Sequence, residues 1–254
     1  MAHDTFTKQA ADAPEGFFEV EAAGLRWLAA AGPGSAAVVH VRSVEPGRII
    51  LDNVPTSRPS KTAAAAFGAA LARTHAAGAE AFGAGPDGWE RDGFIGVQPM
   101  TLHQESAWGP FFAEQRLLPY ARAAHDVGNL DRLGLRTIER ICERIAQGTF
   151  DDDLPPARIH GDLWAGNILW SPRGVVMIDP AAHGGHGLTD LAMLSLFGAP
   201  YLDIILDAYA ETAGLAPGWR ALIPLHQLHP LLVHAVTHSA SYGTQAVRVA
   251  ERYL

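Results

Sequence analysis

Apolar positions along this chain alternate between helical spacing and short strand-like runs, and the changes of period mark out its elements. Residues 5–8 are short and strand-compatible, and Phe18, Ala22, Leu25 and Leu28 then recur at helical spacing within 16–31. Two strands are predicted at 38–44 and 48–51, turned at Glu45-Pro46-Gly47, with Asp52-Asn53-Val54-Pro55 as the connection out of this region. A polar loop at 57–60 leads into an alanine-rich helix at 63–77, ended by Gly78, whose apolar face suits a core. The glycine-rich stretch 83–93 is irregularly spaced and precedes no helix, so it reads as a connector and a poor phosphate loop. Helical spacing returns at 135–146. Three apolar runs at 157–159, 168–170 and 175–178 then read as strands, the last two joined by a tight turn at Ser171-Pro172-Arg173-Gly174, and a helix at 191–196 follows Asp190.

The chemistry lies between those strands. His160-Gly161-Asp162-Leu163-Trp164-Ala165-Gly166-Asn167 carries an acid and an amide five residues apart, and Asp179 follows twelve residues after Asn167. That is the layout of a phosphoryl-transfer site, in which one Asp accepts a hydroxyl proton while an Asn and a second Asp hold Mg²⁺. Mg²⁺ demands hard oxygen donors, which Asn and Asp supply. Either residue alone is common in an ordinary turn. The whole string inside a strand–loop–hairpin is far more specific, because the hairpin brings Asn167 and Asp179 to one edge.

Composition narrows the class further. With 254 residues, 48% of them hydrophobic, the chain can bury a sizeable core. Its net charge of -8 argues against a nucleic-acid partner, whose footprint would be basic. The absence of a long apolar run and of signal-peptide features predicts no membrane partner and a cytoplasmic location. The one cysteine, Cys142, lies in the 135–146 helical pattern and reads as a buried structural thiol, with no activating setting for a nucleophile. Only two lysines occur, Lys8 and Lys61, a bias from which no function is taken.

The string 160–167, together with Ile178-Asp179-Pro180-Ala181, Gly185-His186 and Asp190-Leu191-Ala192-Met193, resembles the fructosamine kinase family, a branch of the aminoglycoside-phosphotransferase-like kinases. Trp164 in the loop and Pro180 after Asp179 favour this branch, and Phe94-Ile95-Gly96, residues 108–119 and the last thirty residues extend the similarity over nearly the whole chain. The resemblance implies an α+β, two-lobed protein-kinase-like fold. A truncated small N-terminal β lobe at 1–56 would hold three strands and one helix, and a mainly helical C-terminal lobe at 57–254 would carry the catalytic loop and metal site. It implies ATP and Mg²⁺ as cofactors, Asp162 as base, and Asn167 and Asp179 as metal ligands. Lys8 would hold the nucleotide phosphates and be positioned by Glu21, with Glu19 a solvated neighbour, and backbone groups of Asp52, Asn53 and Val54 would hold adenine. His160 would support the loop. Asp190 would anchor the loop backbone, cap the helix that follows it, or do both. Trp164 is either a platform for a sugar ring or a buried wedge that fixes the loop.

The chain also departs from that pattern. Only seven residues precede Lys8, which leaves no room for the two-stranded glycine-rich turn that usually covers the phosphates, so either a preceding segment lies outside this sequence or the small lobe is a natural minimal form. His226, His229, His234 and His238 could suggest a metal cluster, but no carboxylate or cysteine completes the set and Pro230 interrupts the helical pattern. The resemblance instead places His234 at the acceptor cleft. Ala235, Val236 and His183-Gly184 stand where the family has other residues, which puts the acceptor in more doubt than the phosphoryl transfer. The expected function is phosphorylation of a hydroxyl on a fructosamine, a related ketoamine or another sugar derivative, with glycated protein as a further acceptor. The alternatives are a catalytically impaired pseudokinase or nucleotide-binding protein, motivated by the missing turn, and an aminoglycoside or amino-sugar phosphotransferase.

Overall fold

A computed structural model describes residues 4–254. The chain begins with β1 (Thr5–Gln9), α1 (Phe17–Ala29), β2 (Ala37–Val38), β3 (Val41–Glu45) and β4 (Arg48–Asp52). Next come α2 (Lys61–Ala76), β5 (Gly93–Ile95), β6 (Gln98–Met100), α3 (Trp108–Phe111), α4 (Leu118–Asp126) and α5 (Arg132–Ala146). The central strands are β7 (Ala157–Ile159), β8 (Ile168–Ser171), β9 (Gly174–Met177) and β10 (His183–Gly185). The chain closes with α6 (Gly187–Phe197), α7 (Leu202–Ala213), α8 (Ile223–His226), α9 (Leu228–Thr237) and α10 (Ala240–Ala250).

Strands β1, β4 and β3 form an antiparallel sheet in that order, with Lys8 opposite Ile49. Helix α1 packs against this sheet through Phe18, Ala22 and Leu25, which meet Ile49 and Leu51. Glu21 falls three residues after Phe18 and four before Leu25, so it lies on the same helical face and is buried with them. A carboxylate in that position needs a cation.

The strand predicted at 38–44 is divided between two sheets. Ala37–Val38 runs parallel to β9, and Val39 N donates to Met177 O at 3.0 Å. Only Val41–Glu45 joins β4, with an irregularity between Val41 and Ser43. The run holds enough apolar residues for both sheets, since Val39 and Val41 are each buried. The segment before β3 thereby ties the first sheet to the β8–β9 hairpin.

Caps outside the apolar period explain two further differences in boundary. Ser60 accepts from Ala63 N, so α2 starts at Lys61, and Asp131 accepts from Gly134 N, so α5 starts at Arg132. Helix α5 buries Ile138, Ile141, Cys142 and Ile145 along one stripe, and burial pushes the Cys142 thiol up to about 12. Each such isoleucine contributes about 1.5–3 kcal/mol. Between α3 and α4, Phe112–Leu117 winds as a π-helix, which buries both Gln115 and Arg116. The helical run through the C-terminal histidines is divided at Gln227, between α8 and α9, and Pro230 lies in the first turn of α9, where a backbone N–H has no intrahelical partner to lose. Among the described residues no helix is long and apolar enough to cross a membrane.

Candidate active site

The β8–β9 hairpin sets the site. Its ladder runs from Ser171 opposite Gly174 to Ile168 opposite Met177, and Ile178 N donates to Asn167 O at 3.0 Å, which carries the pairing one step beyond the strands. Asn167 and Asp179 are therefore held on the same edge. Asp179 has φ 56, a left-handed conformation that Asp tolerates better than most residues. Lys8 Nζ reaches its carboxylate at 2.8 Å.

Lys8 also donates to both carboxylate oxygens of Glu21, at 2.8 and 2.9 Å, so its three N–H groups are all engaged. Burial alone would lower the Lys8 pKa, but Glu21 and Asp179 outweigh it and hold the ammonium above its ordinary value. Burial raises the Glu21 pKa against the pull of Lys8. Glu19, by contrast, is only partly buried and takes no part in this set.

The loop from β7 to β8 is fixed from behind by Asp190, which accepts from His160 N at 2.8 Å and Gly161 N at 2.9 Å. Gly161 has φ 81, and a Cβ there would collide with the Ala181 carbonyl. His160 Nε2 bonds Ile178 O at 2.8 Å while its Nδ1 accepts from Asp162 N at 3.2 Å. A single neutral tautomer, protonated on Nε2, satisfies both bonds, and burial lowers the His160 pKa in agreement with it.

Asp190 is not the helix cap. Helix α6 begins at Gly187, so Asp190 sits within its first turn, and His186 Nδ1 takes the cap position by accepting from Leu188 N at 3.1 Å. The sequence pattern also missed two residues behind Asp190. His75 Nε2 lies 3.0 Å from Asp190 Oδ2, and His75 Nδ1 lies 2.7 Å from Tyr209 Oη. Burial raises the Tyr209 pKa, so its hydroxyl keeps the proton and donates to Nδ1, which leaves His75 Nε2–H to donate to the carboxylate. Burial alone would raise Asp190, but these donors outweigh it and hold the acid below its usual range. The available signal was a histidine four residues after Leu71 on the apolar face of α2, which an ordinary core histidine would also give.

Asn167 Nδ2 points at Asp162 O (2.8 Å), Asp162 Oδ2 (3.0 Å) and Asp179 O (3.3 Å). No donor among the described residues bonds its Oδ1. Burial pushes the Asp162 carboxyl up to about 6; the Asn167 hydrogen bond opposes the rise and the Asp179 charge adds to it.

Two cavities meet at Asp162 and Trp164. One, of about 640 Å³, is lined by Lys8, Glu21, Asn167 and Asp179. The other, of about 470 Å³, is lined by Phe197, His234, His238 and Tyr242, and both are lined by Asp162 and Trp164. Trp164 is 42% exposed, with its ring 6.4 Å from that of Phe197. Leu163, fully buried, is the residue that wedges the loop.

Asp52, Asn53 and Val54 do not line the Lys8 cavity. The Asp52 carboxylate pairs with Arg42, Asn53 N donates to Asp4 O at 3.0 Å, and Val54 packs against the α1 core. His183 is buried in β10, where Arg116 Nε donates to its Nε2 at 3.3 Å, and Ala235 is buried with its carbonyl bonded to Asn129. Neither lines the second cavity, so these two departures from the family pattern do not bear directly on an acceptor there. The four C-terminal histidines divide likewise, His226 and His229 buried in the core and His234 and His238 on the cavity.

Known proteins share both sequence and fold with this chain. A family model described as fructosamine kinase matches residues 1–254. A probable ketoamine kinase of Enterococcus faecium is 29% identical over 249 residues, covering 98% of this chain and 87% of that protein. A solved structure from Thermobifida fusca, assigned as a fructosamine-3-kinase, is 48% identical with a TM-score of 0.90, covering 97% of this chain and 84% of that one. A macrolide 2'-phosphotransferase of Brachybacterium faecium, 18% identical, shares the fold at a TM-score of 0.54 over 97% of this chain and 84% of its own. The fold is thus that of the protein-kinase-like phosphotransferases, and, with the match running from the first residue to the last, the chain belongs to the fructosamine kinase family.

Proposed function

We propose that this chain phosphorylates a hydroxyl of a fructosamine or related ketoamine, using ATP and Mg²⁺, with Asp162 as the base. The observation that carries the reading is the meeting of two cavities at one carboxylate. The cavity beside Lys8, Glu21, Asn167 and Asp179 has the charges suited to a nucleotide's phosphates, and the cavity beside Trp164 and His234 has the flat faces suited to a sugar. Asp162 lies on both.

The donor set fits Mg²⁺ carried on a nucleotide. Among the described residues no three His, Cys, Asp or Glu side chains converge on one point. Nucleotide-borne Mg²⁺ needs only one or two protein oxygens, the rest coming from phosphate and water. The unengaged Asn167 Oδ1 and the Asp179 carboxylate would hold it, and when bound it would neutralise charge on the transferred phosphoryl group. Lys8 would redirect at least one N–H from Asp179 to the phosphates while Glu21 keeps it in place. Asp162, oriented by Asn167 Nδ2, would take the proton of the acceptor hydroxyl as its oxygen attacks phosphorus. His160 and Asp190 would hold the loop without touching substrate. Residues 1–56 and 57–254 would form the two lobes on either side of this junction.

Calorimetric titration with ATP and Mg²⁺ tests the nucleotide half. The reading expects metal-dependent binding that Asp179→Ala abolishes. Binding that ignores both metal and the substitution would refute the placement of the nucleotide.

A further inference from the structure

The second cavity is larger than the neighbourhood of Asp162, and its outer wall is built of rings. Phe197 and His234 lie 4.8 Å apart between centroids, His234 and His238 stack at 4.8 Å and 19°, and Tyr242 lies 5.0 Å from His234. Val97, 67% exposed at the β5–β6 turn, also lines it. At about 470 Å³ the cavity lies in the range that holds a ligand larger than one sugar ring.

Its charges are as telling as its shape. Among the described residues that line it, Asp162 is the only carboxylate, and there is no lysine or arginine. A polycationic acceptor such as an amino sugar would therefore lack counter-charges beyond the base itself. The rings do not form an open cage for a cation either, because His234 and His238 stack on each other. His234 Nδ1 bonds Pro230 O at 2.8 Å, which fixes the ring, and in its neutral form leaves Nε2 as an acceptor.

Resting on the ketoamine reading above, we propose that Phe197, His234, His238 and Tyr242 form the subsite for the amine-derived half of the acceptor, and that this subsite selects flat, uncharged apolar groups over cationic ones. The sugar half lies against Trp164 and Asp162, and the substituent on nitrogen extends along the ring wall. Affinity then rises with the apolar area that the substituent buries.

The test compares kcat/KM at saturating ATP and Mg²⁺ for three fructose-derived ketoamines, made from methylamine, from benzylamine and from (2-aminoethyl)trimethylammonium. The benzyl compound should exceed the methyl compound about 10- to 100-fold, with the cationic compound at or below the methyl one. His238→Ala and Tyr242→Ala should each shrink the benzyl-to-methyl ratio severalfold. Equal values for benzyl and methyl, a preference for the cation, or a ratio unmoved by both substitutions would overturn the subsite. Loss of turnover with all three ketoamines, while ATP and Mg²⁺ still bind, would instead overturn the ketoamine reading and the subsite with it.

Discussion

Asp162 is held in a conflict that its chemistry can use. Burial and the nearby Asp179 charge raise its pKa to about 6, so the fold favours the protonated acid, yet a base must be ionised. Relative to the unfolded chain, the Asp162 contribution to stability is fully present below about pH 4 and is lost as pH rises through 6. Asp162→Asn should therefore raise thermal stability at pH 7.5, by on the order of 1–3 kcal/mol, while lowering activity. A melting curve of the variant showing destabilisation would contradict this view of the site. The kcat/KM profile should fall about tenfold per pH unit below about 6, the free-enzyme value, and a flat profile down to pH 5 would show that another group limits the reaction. His75 offers a second test, because it lines neither of the two site cavities yet supports Asp190. His75→Ala should lower kcat at least tenfold while leaving ATP affinity within a few-fold, with partial recovery in His75→Gln. A loss confined to stability, with kcat intact in the folded fraction, would make the residue a core member only. The convergence of Asp162, Asn167 and Asp179 was legible in the sequence from residue type and spacing, and that of Lys8 and Glu21 only through the family resemblance. His75 and Tyr209 were not, since a buried histidine four residues from a leucine looks the same whether or not it reaches a carboxylate.

At the scale of elements, the site depends on how closely α2 and α7 approach. A Cβ at Gly68 would strike the Ile205 carbonyl, so the two helices pack backbone against backbone at that point. Gly68→Ala should cost about 1–3 kcal/mol, read as a lower urea midpoint with an unchanged slope. An unchanged midpoint would mean that the helices can part freely. His75 lies two turns along α2 from Gly68 and Tyr209 lies on α7, so the same contact aligns the support behind the catalytic loop. Helices α1, α2 and α5 and the β8–β9 hairpin could be read from apolar periodicity and turn residues. The split of 38–44 between two sheets could not, because period-two alternation does not say which partner each residue faces. The start of α6 was placed too late because its cap is a histidine, outside the Ser, Thr, Asp and Asn that mark most helix starts.

Across the molecule, Lys8 joins three separate parts: the first sheet, α1 through Glu21, and the hairpin through Asp179. Lys8→Met would leave Glu21 and Asp179 without their cation, so the Kd for ATP with Mg²⁺ should rise at least tenfold, measured by calorimetry. An unchanged Kd would place the phosphates elsewhere. The ring wall of the second cavity could not be foreseen, because Phe197 on α6, His234 on α9 and Tyr242 on α10 meet only after the helices pack. The central claim is that Asp162 takes a proton from a ketoamine hydroxyl at the junction of the two cavities. Its most direct test is steady-state phosphorylation of a fructosamine by the native chain and by Asp162→Asn, with Mg²⁺-dependent ATP binding measured on both. The account predicts a fall in kcat of about 10²- to 10⁴-fold with ATP affinity retained, whereas undiminished turnover in Asp162→Asn would contradict it.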